Sequence, residues 1–111
     1  MQAVQARGKI AMADVSTLAE GLAASHAGAD LIATTLSGYT PDSPKLAGPD
    51  FELIHTLVSQ GVRPVAEGRI RTPNEARRAL ELGARAVVVG SAITRPDVVT
   101  RWFVQALPEQ R

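Results

Sequence analysis

One pattern, a capped helix followed by a glycine and an apolar segment, occurs twice in this chain. The capping-box pattern T-x-x-E at residues 17–20 recurs at 72–75, and Gly28 recurs as Gly83, which is the same offset of 55 residues (72−17 and 83−28). A glycine at this position typically ends a helix in the left-handed conformation. The apolar segments that follow lack polar alternation, which is typical of parallel strands buried on both faces. The repeat therefore predicts a (βα)n fold in which strands and helices alternate.

The whole chain, residues 1–111, reads as a single domain with residues 1–8 as a lead-in. The predicted strands are residues 9–13, 31–36, 63–66 and 86–89. The predicted helices are residues 17–27, a segment from 49 closed by Gly61, a segment from 73 closed by Gly83, and a last helix from about residue 96. The last helix has an apolar face, so Trp102 and Phe103 are expected in the core.

Four β-α units suit half of an eight-stranded barrel, because a closed TIM barrel needs about 250 residues. The alternative is a small open sheet of the flavodoxin type, which needs helices on both of its faces. Each predicted helix carries a single apolar stripe, and the polar residues after the strands fall on one side, so the sequence favours the half-barrel. Such a half would expose edge strands and an apolar interior. We therefore expect self-association or pairing with a complementary N-terminal half-barrel.

Charge and composition narrow the functional classes. The 12 basic and 11 acidic residues nearly balance, so we expect neither nucleic-acid nor membrane binding. No apolar run is long enough for a membrane span, and the first ten residues lack the apolar core of a signal peptide. The chain has no cysteine, which fits a cytoplasmic location. His26 and His55 lie on separate predicted helices, so we expect no metal site and no redox cofactor.

Five segments, together covering nearly the whole chain from residue 10, closely resemble the C-terminal half of bacterial N-acetylmannosamine-6-phosphate 2-epimerases. The resemblance implies a TIM-barrel enzyme of sialic-acid catabolism that interconverts N-acetylmannosamine 6-phosphate and N-acetylglucosamine 6-phosphate. It also implies that the family's first four strands, including the one with its catalytic lysine, are not part of this sequence. The segments are MADVST, GADLIATTLSGYT, GPDFELI, PVAEGRIRTP and ALELGARAVVVGSAITRP.

Glu67 is the best candidate for an acid/base group. It follows the apolar residues of the third predicted strand, and the carboxyl ends of barrel strands carry active sites. Inverting a carbon beside a carbonyl requires a group that removes and returns a proton. The resemblance implies that Glu67 is the family's catalytic glutamate and that Asp14 contacts the substrate. The alternatives are a Glu67 that only pairs with Arg69 or Arg71, and an Asp14 that only caps the next helix.

A second group of residues suits a phosphate. Gly68 and Gly90 would let backbone N–H groups approach an anion, and Ser91 begins a possible short helix directed at it. Arg69 and Arg95 could add charge-assisted hydrogen bonds. The resemblance places all five at or beside phosphate-contacting positions. A single glycine after a strand is otherwise only a turn residue.

The long segment 37–48 is rich in glycine, proline and serine, and loops of this length are usually functional or disordered. Together with the end of the second strand, it supplies hydroxyl groups for a substrate wall. The predicted wall residues are Thr34, Thr35, Ser37 and Tyr39. Their hydroxyl groups could instead satisfy only the loop backbone. Two other functions stay open: a different sugar-phosphate barrel enzyme, and an inactive half-barrel that binds phosphate or a partner half.

Overall fold

Four parallel strands form one sheet in the order in which they occur along the chain. A computed structural model describes residues 1–109. Within this range the strands are β1 (Met12–Asp14), β2 (Leu31–Ala33), β3 (Val65–Glu67) and β4 (Ala86–Val88), with the sheet order β1-β2-β3-β4. Every neighbouring pair is parallel, so the four carboxyl ends lie at the same edge of the sheet. The strands therefore bring the residues that follow them to one side of the molecule.

The sequential strand order decides between the two folds that the sequence left open. Crossovers between parallel strands are right-handed, so a sheet that always adds its next strand on the same side keeps its helices on one face. A doubly wound open sheet instead reverses its strand order at a switch point. The order β1-β2-β3-β4 is thus that of a barrel wall, and the predicted α/β half-barrel with four parallel strands is confirmed.

The helices occur where the capping patterns predict them, with ends that differ by one or two residues. Their bounds are α1 (Gln2–Gln5), α2 (Leu18–His26), α3 (Phe51–Ser59), α4 (Pro73–Glu81), α5 (Ser91–Thr94) and α6 (Pro96–Ala106). Thr17 completes a capping box with Glu20, and the Thr72 side chain accepts a hydrogen bond from the Glu75 N–H. Gly28 has the left-handed φ predicted for a helix terminator. Local sequence thus fixes both repeated units.

The core lies between the sheet and the helices α3 and α4. Ile54, Ala66 and Ala79 are all essentially inaccessible to solvent and belong to one apolar cluster. Leu57 packs against α2 at Gly21, where an added Cβ would lie 2.6 Å from the leucine Cδ2. Gly21 therefore lets α2 and α3 approach closely, and this contact holds the first unit against the second.

The expected burial of the last helix is wrong. Phe103 is 70% exposed, Trp102 is only half-buried, and no residue of α6 is buried. Within residues 1–109, α6 packs mainly on the short helix α5, and the molecule measures 61 Å in its longest direction but only 29 and 28 Å in the others. The amphipathic pattern correctly identified an apolar face, but within residues 1–109 this face is covered only in part.

The lead-in begins with the one-turn helix α1. Gln5 donates hydrogen bonds to the Gly28 carbonyl and to Asp30, which joins α1 to the turn before β2. Asp30 also accepts a hydrogen bond from the Ala11 N–H, and this bond lowers the pKa of Asp30. In the described part of the chain, the search for a helix long and apolar enough to cross a membrane found none.

Candidate active site at the carboxyl ends of the strands

A cleft of about 360 Å³ opens at the carboxyl ends of the strands. It extends from the end of β2, past the end of β3, to the helices α5 and α6. Its walls combine one carboxylate, two arginines, backbone groups at glycines, and two aromatic rings. The lining residues are Thr35, Tyr39, Glu67, Gly68, Arg69, Ile70, Arg71, Val88, Gly90, Ser91, Ala92, Val98 and Trp102.

Three of the predicted site residues meet at one hydroxyl group. Glu67 is the last residue of β3, and its Oε2 lies 2.9 Å from the Thr35 hydroxyl. The same hydroxyl lies 3.1 Å from Oδ1 of Asp14, the last residue of β1. A hydroxyl group has one proton to donate, so the two carboxylates share one donor. Thr35 therefore holds Asp14 and Glu67 in a fixed relation at the edge of the sheet.

Glu67 does not act only as the partner of an arginine. In residues 1–109 no ion pair joins Glu67 to Arg69 or Arg71, and its side chain is half-buried. The carboxylate also lines the cleft, so it keeps an oxygen that a ligand can reach. This arrangement favours the acid/base interpretation over the simple ion pair.

The Thr34 side chain does not line the cleft but holds the backbone of Glu67 behind it. Its side chain is buried, donates to the Glu67 carbonyl at 3.0 Å, and accepts from the Glu67 N–H at 3.1 Å. The registered pairing of β2 with β3 is limited to Ala33 and Val65, and the Thr34 hydroxyl continues the ladder where the strands separate. Thr34 therefore bonds the backbone of β3, and not the loop backbone that was the alternative to a substrate contact.

The other two predicted wall residues differ in position. Ser37 is buried and lies 2.5 Å from Asp50, which also caps α3, so its side chain points into the protein. Tyr39 is 65% exposed and lines the cleft. Of the four predicted wall residues, the structure places Thr35 and Tyr39 on the cleft and places Thr34 and Ser37 behind it.

The predicted phosphate residues lie mostly at one end of the cleft. Gly68, Gly90 and Ser91 line it, and Gly68 has a φ of 111° that favours glycine. Arg95 is exposed, lies outside the lining, and forms an ion pair with Asp97 at 2.9 Å. This hydrogen-bonded pairing lowers the pKa of Asp97. Because solvent screens an exposed ion pair, Arg95 can leave Asp97 at little cost.

The two cleft arginines have different environments. Arg69 donates from Nε to the Gly48 carbonyl at 2.8 Å and from Nη1 to the Ser37 carbonyl at 2.7 Å. Arg71 instead lies over the Trp102 ring, 4.7 Å from its centroid. Arg71 was not among the residues predicted for the phosphate group. Its only local signal was its position four residues after Glu67, in the segment that follows β3.

Groups of three or more metal-ligating side chains are absent from residues 1–109. The cleft combines a carboxylate, two guanidinium groups and the backbone of two glycines, which are groups of the kind used for proton transfer and for binding anions.

The chain is similar to one family of sugar-phosphate enzymes. The sequence model of the family described as N-acetylmannosamine-6-phosphate epimerase (NanE) matches residues 1–109. A relative from Cutibacterium acnes, named N-acetylmannosamine-6-phosphate 2-epimerase, is 58% identical over 101 residues, which is 88% of this chain and 44% of the relative. A bifunctional enzyme NanE/NanK from Brucella melitensis is 51% identical over 94% of this chain and 20% of its own length.

The fold similarity agrees with the sequence similarity. The structure of the N-acetylmannosamine-6-phosphate 2-epimerase from Clostridium perfringens superposes with a TM-score of 0.93 and is 50% identical, over 96% of this chain and 47% of the other. The chain thus spans about half the length of the single-function relatives that it matches.

Proposed function

The chain belongs to the N-acetylmannosamine-6-phosphate epimerase family, and from this membership we propose that it provides half of a TIM-barrel epimerase. The proposed reaction interconverts N-acetylmannosamine 6-phosphate and N-acetylglucosamine 6-phosphate by proton transfer at C2. We place this activity in the cytoplasm and in the breakdown of amino sugars such as sialic acid. The observation that carries the proposal is the Glu67 carboxylate, which faces the same cleft as the glycine-rich edge at Gly68 and Gly90.

The acid/base end of the cleft suits inversion at C2. Removing the C2 proton sends the electron pair toward the neighbouring carbonyl oxygen, and returning a proton to the opposite face completes the inversion. We assign proton transfer to Glu67, in cooperation with a lysine of the complementary half. The Thr35 hydroxyl fixes the carboxylate, and Asp14 on the same hydroxyl is the proposed substrate contact. Donors around the carbonyl oxygen would stabilise the intermediate oxyanion.

The other end of the cleft suits the phosphate of the substrate. Gly68, Gly90 and Ser91 line this end without bulky side chains, which leaves their backbone within reach of an anion. Arg71 stands beside them with its guanidinium over Trp102, and we add it to the proposed phosphate site. We also assign Arg95 to the proposed phosphate site. Its guanidinium would leave the ion pair with Asp97 and bind the phosphate instead.

The complementary half-barrel would supply what residues 1–109 do not place in the cleft. The lysines of this chain are Lys9, before β1, and Lys45, in the long loop, and neither lines the cleft. In the described range β1 and β4 form the two edges of the sheet, and they carry the partly exposed apolar side chains of Met12 and Val88. We propose that a family N-terminal half, or a second copy of this chain, covers these edges.

An epimerisation assay tests the proposal. The chain would be assayed by proton NMR with N-acetylmannosamine 6-phosphate, first alone and then co-expressed with a family N-terminal half that carries the lysine. We expect product only from the co-expressed pair, because groups that act as a unit lose most of their effect when one is removed. If the folded pair forms but yields no N-acetylglucosamine 6-phosphate, the proposed function is wrong. A panel of other sugar phosphates would then identify a different barrel enzyme.

A further inference from the structure

Arg69 joins the two ends of the long loop. We define the 37–48 loop as residues 37–48, which connect the end of β2 to α3. The Arg69 guanidinium donates to the Ser37 carbonyl at the start of this loop and to the Gly48 carbonyl at its end, at 2.7 and 2.8 Å. Two donors of one rigid group therefore close the loop at its base. An arginine engaged in this way is a structural clasp as well as a positive charge.

The beginning of the loop is shaped to receive the guanidinium. Gly38 has a φ of 86°, and a Cβ added there would lie 2.9 Å from the Arg69 Cζ, nearer than side-chain carbons approach one another. The guanidinium thus occupies the space where any other residue at position 38 would have its side chain. The need for glycine here comes from close approach as well as from backbone conformation.

The backbone of Arg69 is itself in a strained conformation. Arg69 is the non-glycine residue with positive φ, at 57°, in the described chain. This region of backbone conformation is unfavourable for residues other than glycine, asparagine and aspartate, because their Cβ crowds the following carbonyl oxygen. Glycine would relieve this strain, but it would remove both hydrogen bonds to the loop. Strain at a cleft residue that makes two loop contacts indicates that the side chain has a positioning role.

Arg69 also contacts Tyr39, which forms part of one wall of the cleft. The Tyr39 ring lies on Arg69, with the guanidinium 5.4 Å from the ring centroid, and Tyr39 lines the same cleft as Glu67. Other bonds hold the loop elsewhere: Ser37 to Asp50, and Thr40 to Ser43. Of these contacts, those of Arg69 connect the loop to the end of β3, where Glu67 is located.

We propose that Arg69 is a positioning residue that fastens the 37–48 loop to the end of β3 and so sets Tyr39 as a wall of the cleft. It acts on a bound sugar phosphate through Tyr39, in addition to the charge that it contributes. Lysine has one point charge in place of the planar fork, so it cannot bridge both carbonyls and also support the ring. Arg69→Lys therefore keeps the positive charge but removes the hydrogen bonds that close the loop.

Hydrogen exchange on the chain tests the clasp without reference to the proposed function. The Gly38 and Tyr39 amides are hydrogen-bonded to Ser43 Oγ and to the Leu36 carbonyl, and they report on loop opening. We expect Arg69→Lys to speed their exchange about tenfold to a hundredfold, because bonds from a charged group are lost. Exchange in α2 and α4 should not change. Arg77→Lys, on an exposed helix face, is the matched control.

A second variant reaches the same contact from the loop side. Gly38→Ala places a methyl group against the guanidinium, whereas Gly48→Ala adds one where no atom lies within 4 Å. Tyr39 is the one tyrosine of the chain, so ring-labelled tyrosine gives a single pair of NMR signals that reports on its position over Arg69. We expect shifted Tyr39 signals in Arg69→Lys and Gly38→Ala, and wild-type signals in Gly48→Ala. Wild-type exchange and signals in both test variants would overturn the proposal.

The kinetic consequence rests on the proposed function. In the co-expressed pair, Arg69→Lys should raise KM on the order of tenfold while kcat changes less than about threefold, since a wall residue contributes mainly to binding. An opened loop with an unchanged KM would remove Tyr39 from the site. If the wild-type pair has no epimerase activity, the proposed function fails, and the exchange experiment still decides whether Arg69 is the clasp.

Discussion

Replacing Thr34 by valine should destabilise the protein at the strand end that carries Glu67. Valine has nearly the shape of threonine, so the change opens no cavity, but it removes the hydroxyl that bonds both the N–H and the carbonyl of Glu67. Thr34 is only 3% exposed, so water cannot easily replace the lost partner. A buried group left without a hydrogen bond costs about 1–3 kcal/mol. We expect the free energy of unfolding to fall by about that amount.

Urea denaturation measures this loss directly. Small proteins have m-values of about 1–3 kcal/mol per molar urea, so a loss of about 2 kcal/mol lowers the midpoint by about 1 M. Thr35→Val is the matched control, because the Thr35 hydroxyl bonds two side-chain carboxylates at the cleft and no backbone group. Its free energy of unfolding should fall by less than that of Thr34→Val, because Asp14 is exposed and Glu67 only half-buried, so water can replace the lost hydroxyl.

The contrast between the two valine variants makes the reasoning refutable. Thr34→Val should also speed amide exchange at Glu67, since the Thr34 hydroxyl is the acceptor for that N–H. Equal midpoints for Thr34→Val and Thr35→Val, with unchanged exchange at Glu67, would show that the Thr34 hydroxyl does not hold β3 to β2. The explanation of how the strand end is positioned would then be wrong.

Further predictions concern the core, the start of α2 and the phosphate end of the cleft. Leu57→Ala should lower the free energy of unfolding by about 2–5 kcal/mol, because Leu57, on α3, is fully buried against α2; an effect below about 1 kcal/mol in thermal or urea unfolding would contradict that packing. Hydrogen bonds from Ser16 lower the pKa of Glu20 below 4.5, so its charge stabilises the fold above that pH and this contribution is lost as the pH falls through the lowered pKa. In urea unfolding, Glu20→Gln should therefore be less stable than wild type at pH 7, and the difference should shrink as the pH falls through the lowered pKa of Glu20; a constant difference would contradict this. Arg71→Ala and Arg95→Ala should each weaken calorimetric binding of N-acetylglucosamine 6-phosphate on the order of tenfold, and a variant that binds like wild type would remove its arginine from the phosphate site.

Features that depend on neighbouring residues could be predicted from the sequence. The capping box at Thr17 and the left-handed terminator at Gly28 each involve residues a few positions apart, and both are confirmed. The strands were harder to delimit: β2 was expected to reach residue 36, but it ends at Ala33 because the Thr34 hydroxyl takes over the pairing with β3. A strand that ends because a side-chain hydroxyl replaces a backbone partner has no local sequence signal.

Contacts between distant segments could not be predicted. Sequence placed Asp14, Thr35 and Glu67 at three strand ends, yet it could not show that one hydroxyl bonds both carboxylates, because that depends on sheet register. The clasp of Arg69 depends on the path of the 37–48 loop. For Phe103, the helical pattern correctly predicted a position on an apolar face. Whether that face is buried depends on which element packs against the helix. Local propensity cannot supply that information.

Solvent deuterium exchange at C2 tests the role of Glu67 most directly. The co-expressed pair would be incubated in D₂O with N-acetylglucosamine 6-phosphate, with wild-type chain or with Glu67→Gln, while binding of the sugar phosphate is followed separately. We predict deuterium incorporation by wild type and none by Glu67→Gln, with binding largely retained, since the amide keeps the shape of the carboxylate but does not exchange a proton. Undiminished deuterium incorporation by a correctly folded Glu67→Gln would contradict the assignment of Glu67 as the acid/base group of this cleft.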